Sequence, residues 1–89
     1  MNPPSSAARP APLHVLGLGP GDPSLLAPEA SAVLAASSLI VGYSGYISLL
    51  PEAVLAGKRV IATGMTGEMA RASAALEAAL SGEETAVVC

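Results

Sequence analysis

Four short apolar runs, at residues 13–18, 39–43, 59–63 and 85–89, alternate with stretches of helical periodicity, and that alternation leaves few folds open. The second run, Leu-Ile-Val-Gly-Tyr, has no polar alternation, so it reads as a strand buried on both faces. Connections of this length carry parallel strands through right-handed crossovers. The expectation is an α/β chain, a parallel sheet with flanking helices. Pro28 suits the first position of a helix, with Glu29 in its first turn and Ala30, Val33 and Leu34 on one apolar face. Residues 46–55 read as a short helical segment broken by Pro51, and Gly57 as its stop. Thr66 is the expected N-cap of a third helix whose apolar face holds Met69, Ala72, Leu76, Ala79 and Leu80, with Gly82 ending it.

Where the first run ends, Val15 to Asp22 read V-L-G-L-G-P-G-D. Gly17, Gly19 and Gly21 let a backbone turn tightly and approach a ligand closely, at the carboxyl end of a strand where open α/β sheets bind ligands. The dinucleotide fingerprint needs its third glycine where this chain has Asp22, and no Gly-Lys-Ser/Thr follows to make a Walker A loop. Pro20 removes an amide donor, and the Asp22 carboxylate would repel a pyrophosphate. A carboxylate beside a glycine loop suits ribose hydroxyls, a sulfonium or a proton to be moved. The loop therefore reads as a small-molecule site that is not a phosphate site. A tight strand-to-helix turn capped by Asp22 fits the same residues.

The 89 residues allow at most one domain, one that buries only roughly 60–65% of its unfolded surface. With a net charge of −3 and four basic residues, nucleic acid is not the expected partner. No stretch approaches the roughly 18 apolar residues of a membrane span, so no membrane is implied. No basic region leads into an apolar core at the N-terminus, and Cys89 stands alone, so the cytoplasm is the expected compartment. Residues 1–12, with four prolines among Ala, Ser and Asn, are expected to form a disordered leader, and residues 13–89 the folded part. A fourth strand at the very end of the sequence would leave the next ligand-facing loop missing, which reads as a truncated N-terminal piece.

Other residues carry blander expectations. His14 has no second ligand at metal spacing and reads as an ordinary strand residue, and no metal site is expected. Lys58 and Arg59 sit at a strand entrance, away from the expected site, in a solvated role. Glu68 and Arg71, spaced i,i+3, suggest a weak surface pair. Met65 and Met69 read as core gap-fillers. Tyr43 and Tyr46 alone suggest rings wedged at a sheet edge with wet hydroxyls.

Three segments together resemble a known family. V-L-G-L-G-P-G-D-P-S-L-L-A-P-E-A, Val15 to Ala30, is similar to the opening motif of the tetrapyrrole methylases, which use S-adenosylmethionine. V-G-Y-S-G-Y-I-S-L-L-P, Val41 to Pro51, and G-M-T-G-E-M-A-R-A-S-A-A-L-E-A-A, Gly64 to Ala79, resemble the precorrin-3B C(17)-methyltransferase branch of cobalamin biosynthesis. The resemblance implies the N-terminal domain of the tetrapyrrole methylase fold, truncated after the fourth strand, from a two-domain enzyme that is usually a homodimer. It implies S-adenosylmethionine as methyl donor and a precorrin as substrate, methylated at C17 with contraction of the ring.

By the same resemblance Gly19, Pro20 and Gly21 shape the loop that touches the methyl donor, with Pro20 at the contacting position. Asp22 is the candidate acid/base or polar contact to the tetrapyrrole. Tyr43 and Tyr46 match the branch pattern, and Gly64 and Met65 lie on the loop facing the same cleft. Two departures stand out. Ala27 replaces a Thr cap, worth about 1 kcal/mol. The Gly-Asp-Pro-Gly loop and second domain of the family are absent, and Cys89 stands where Ser is common. The isolated chain is accordingly expected to be inactive. Another substrate within the family (a different precorrin, uroporphyrinogen III, an rRNA ribose or diphthine) and a non-enzymatic small-molecule-binding module remain open alternatives.

Overall fold

The computed structural model describes residues 9–17 and 28–89. Along these the chain forms β1 (Leu13–Leu16), α1 (Pro28–Ala36), β2 (Leu39–Tyr43), two single-turn helices α2 (Ser44–Ile47) and α3 (Glu52–Leu55), β3 (Arg59–Thr63), α4 (Glu68–Leu80) and β4 (Thr85–Val88). The strands make one parallel sheet in the order β1-β4-β2-β3. The chain steps from β1 past one position to β2, on to β3, and then back to β4. Crossovers of one hand that travel in opposite directions must use opposite faces of the sheet. That is what the packing does. Leu34 of α1, Ile47 of α2 and Leu50 pack with Ile40, Ala86 and Val88 on one face, whereas Ala75 and Ala78 of α4 pack with Leu39 and Val41 on the other.

β2 is buried on both faces, as its unbroken apolar sequence requires. Leu34, Leu39, Ile40 and Val41 are all essentially inaccessible, and each contributes about 1.5–3 kcal/mol by leaving water. Gly42 has no room for a side chain: a Cβ there would lie 2.6 Å from Val88 Cγ2 and 3.1 Å from Ile47 Cδ1. Gly57 and Gly82 end their segments in the left-handed region, at φ 75° and 95°.

Two expectations for α4 are corrected. The helix begins at Glu68 with Gly67 as N-cap, and Thr66 caps nothing, because Gly67 N–H instead closes a turn onto the Gly64 carbonyl at 3.0 Å. Its buried face is Ala75, Ala78 and Ala79; of the expected stripe only Ala79 is buried, and Met69, Ala72, Leu76 and Leu80 are exposed. Alanines let the helix lie close on the sheet. Met69, 82% exposed, and Leu76 and Leu80 fall on its flank, and Met65 is 75% exposed on the preceding loop. The methionines are therefore not core fillers. Leu13 and Val15, on the same sheet face in the edge strand β1, are exposed as well.

The polar residues at strand entrances are more engaged than the sequence suggests. Lys58 Nζ donates to the Ala35 and Ser37 carbonyls at 3.0 and 2.6 Å, a cation closing the carboxyl end of α1. Arg59 grips both carboxylate oxygens of Glu83, at 2.9 and 3.0 Å. His14 Nε2 donates to Glu84 at 3.0 Å. Of the expected leader, residues 1–8 lie outside the described residues; Ala11 N–H donates to the Ala79 carbonyl and the Pro12 carbonyl accepts from Thr85 N–H.

Candidate functional site

All four strands point the same way, so their carboxyl ends share one edge, and four short segments lie along it. Gly17 follows β1. Cys89 follows β4, its N–H donating to the Leu16 carbonyl at 2.9 Å and its thiol lying 3.6 Å from the same oxygen. Tyr43 ends β2 in register with Thr63, which ends β3 and is followed by Gly64. The fold thus brings Tyr43, Tyr46 and Gly64 to one edge.

The two tyrosine rings meet edge to face, their centroids 5.3 Å apart and their planes at 85°. Tyr43 is half-buried, whereas Tyr46 is 42% exposed. Gly45 holds the arrangement, since a Cβ there would overlap the Tyr43 ring. At Gly17 and Gly64 the opposite holds: among the described residues a Cβ would meet nothing within 4 Å. Open space above bare backbone at two strand ends is room for a ligand to approach main-chain groups. Gly19, Pro20, Gly21 and Asp22 lie outside the described residues, as do Leu18 and Ala27.

Three residues at this edge were missed from sequence: Gly45, Thr63 and Arg71. Arg71 does not pair with Glu68. Its Nη1 donates to Thr63 Oγ1 and, at 3.0 Å, to the Gly64 carbonyl, which draws the guanidinium to the end of β3. A cation in the first turn of a helix opposes the macrodipole, and that conflict was the signal available in the sequence.

The opposite end of the molecule holds a shallow open depression of about 430 Å³, lined by Arg59, Ile61, Ala74, Glu77, Ala78, Ser81 and Glu83. Arg59, which opens β3, and Glu83, which precedes β4, line it at the end opposite Gly17 and Gly64. Its two strongest charges neutralise one another: the hydrogen bond from Arg59 holds the Glu83 carboxyl below the usual carboxylate range, and the same bond raises Arg59. Among the described residues no three of His, Cys, Asp and Glu cluster as metal ligands, and no helix is long and apolar enough to cross a membrane.

No family model matches the sequence. Individual relatives do. The chain is 40% identical over 76 residues to a Salmonella typhimurium protein named "probable cobalt-factor III C(17)-methyltransferase", covering 85% of this chain and 31% of that one. It is 36% identical over 76 residues to the cobalt-factor III methyltransferase of Priestia megaterium, covering 85% of this chain and 14% of the relative. Among solved structures, the methyltransferase CobJ superposes with a TM-score of 0.74 at 38% identity, over 89% of this chain and 32% of CobJ. The chain spans about a third or less of the length of these relatives.

Proposed function

This chain belongs, over the stretch it shares with those relatives, to the tetrapyrrole methyltransferases of cobalamin biosynthesis, and from that premise we propose that its carboxyl edge binds S-adenosylmethionine and one side of a precorrin-type macrocycle. The observation that carries the reading is the tyrosine pair at the carboxyl edge beside Gly64, where among the described residues a Cβ would meet nothing within 4 Å. When bound, S-adenosylmethionine supplies an electrophilic methyl group on a sulfonium. The protein's share in such a transfer is alignment and exclusion of water.

Gly17, with Gly19, Pro20 and Gly21, would offer the donor a close main-chain surface. Asp22 would hold a polar group or a proton of the macrocycle. Tyr43 and Tyr46, set edge to face, would offer the macrocycle one ring face and one ring edge, with Gly64 and Met65 at the border. The methyl acceptor is proposed to be C17 of precorrin-3B, with ring contraction. The names of the Salmonella and Priestia relatives favour the cobalt-bearing counterpart, cobalt-factor III, as a second reading. A homodimer in the cytoplasm is the proposed setting, and the 89 residues alone would be inactive.

The test is transfer of labelled methyl from S-adenosylmethionine to precorrin-3B or cobalt-factor III, by this chain alone and by this chain fused ahead of the remainder of a relative. Labelled macrocycle from the fusion, lost on Tyr43→Ala with Gly17→Val, supports the reading. A fusion that folds but neither binds the donor nor transfers its methyl overturns it.

A further inference from the structure

We propose that Arg71 is a recognition residue for a carboxylate on the periphery of the bound ligand, an inference that rests on the site proposed above and names the chemistry it selects. The chain has four basic residues, and the other three lie at the opposite end of the sheet. Lys58 closes α1, Arg59 is neutralised by Glu83, and Arg9 runs beside Gly82, ahead of β4. Arg71 alone among them stands at the carboxyl edge.

Among the described residues its bonding leaves the charge unused. A guanidinium carries five N–H donors. Both observed bonds come from Nη1 and go to neutral oxygens, Thr63 Oγ1 and the Gly64 carbonyl. Neither Nε nor Nη2 has a hydrogen-bond partner among the described residues, and no carboxylate there forms an ion pair with Arg71. The two anchors fix the plane of a half-buried group at the end of β3, where Thr63 is in register with Tyr43 on the neighbouring strand. Thr63 and Tyr43 lie on the face of the sheet that α4 covers, which is why a residue of that helix reaches Thr63.

Helix stability does not explain the placement, because a cation in the first turn works against the dipole. Nor does the field of the protein, since a chain of net charge −3 repels anions at long range. An anionic ligand therefore needs one local, oriented cation, and a planar guanidinium with a free Nε/Nη2 edge matches a carboxylate by two parallel bonds. Tetrapyrrole precursors carry acetate and propionate groups around the ring, so a ring lying against Tyr43 would bring one of them to this edge.

The test uses uroporphyrin III, an octacarboxylate, titrated by fluorescence into the full chain, with S-adenosylmethionine binding followed separately by equilibrium dialysis. Arg71→Gln keeps donors for Thr63 and Gly64 but removes the charge; Arg71→Lys keeps the charge without the fork; Arg9→Gln removes an equal charge elsewhere. The expected result is about 10-fold or more weaker porphyrin binding for Arg71→Gln, partial recovery for Arg71→Lys, and no change for Arg9→Gln. Methyl-donor binding and the thermal melt should stay put in all three. Equal porphyrin affinity for Arg71→Gln and wild type, or equal losses for Arg71→Gln and Arg9→Gln, would overturn the inference and leave the site standing. So would a wild-type chain that binds the donor but no porphyrin. A chain that binds neither would remove the proposed site and this inference together.

Discussion

Gly42→Ala should destabilise the protein, although replacing a strand glycine by alanine ordinarily gains about 0.5–1 kcal/mol. The new Cβ would lie 2.6 Å from Val88 Cγ2, 3.1 Å from Ile47 Cδ1 and 3.1 Å from the Val88 carbonyl oxygen. Val88 has little freedom to yield, being β-branched and buried. Its backbone is in register with Gly42 itself, so moving the oxygen away disturbs the β2–β4 pairing. Overpacking of this kind costs about 1–3 kcal/mol. Subtracting the conformational gain leaves a net loss of up to about 2.5 kcal/mol, centred near 1 kcal/mol, and that centre corresponds to a fall in Tm of roughly 4–8 °C for a domain of this size. The assay is a far-UV circular dichroism melt run beside Gly64→Ala, where among the described residues a Cβ meets nothing within 4 Å. The control should melt at the wild-type temperature or slightly above it. A Gly42→Ala protein as stable as the control would refute the packing of β4 against β2.

The orientation of α4 makes a paired prediction: Met69→Gln should change stability by no more than about 0.5 kcal/mol, whereas Ala75→Leu should cost about 1–3 kcal/mol, both read from urea midpoints. Because Tyr43 and Tyr46 are the chain's only aromatic residues besides its one histidine, near-ultraviolet circular dichroism reports on that pair directly. Gly45→Ala should displace the Tyr43 ring and abolish most of the signal, and an unchanged spectrum would contradict the edge-to-face contact. Glu83, whose carboxyl is held low chiefly by the hydrogen bond from Arg59, contributes stability above its unfolded-state pKa and loses it as pH falls through the lower folded value. Glu83→Gln should therefore lower Tm slightly at neutral pH and shrink the acid-side decline, and parallel pH profiles for the two proteins would show that the pair contributes nothing.

What the sequence made legible were features with a local cause. β2 and β3 fall at the expected residues because their apolar runs are bounded on both sides, and Gly57 and Gly82 end their segments because only glycine sits easily at those φ values. The order of the strands was not legible. Insertion of β4 between β1 and β2 is a long-range pairing that no neighbouring residue encodes. The face of α4 was misread because hydrophobicity favours leucine and methionine, while close approach of a helix to a sheet favours alanine. Thr66 had the right chemistry for a cap, but the turn from Gly64 to Gly67 placed it one residue outside the helix junction. At the candidate site the tyrosines and Gly64 could be found from their resemblance to a family. Arg71 was passed over because its i,i+3 spacing pointed to Glu68; the conflict of a cation with the helix dipole marked it as unusual, but only the fold shows that Thr63 draws the guanidinium to the sheet.

Amide chemical shifts on addition of S-adenosylmethionine would test the central claim, that the carboxyl edge is the ligand-binding surface. The account predicts perturbations at Gly17, Tyr43, Tyr46, Gly64 and Cys89, with Arg59, Ser81 and Glu83 unmoved. Shifts centred on Arg59 and Glu83, with the carboxyl edge silent, would contradict it.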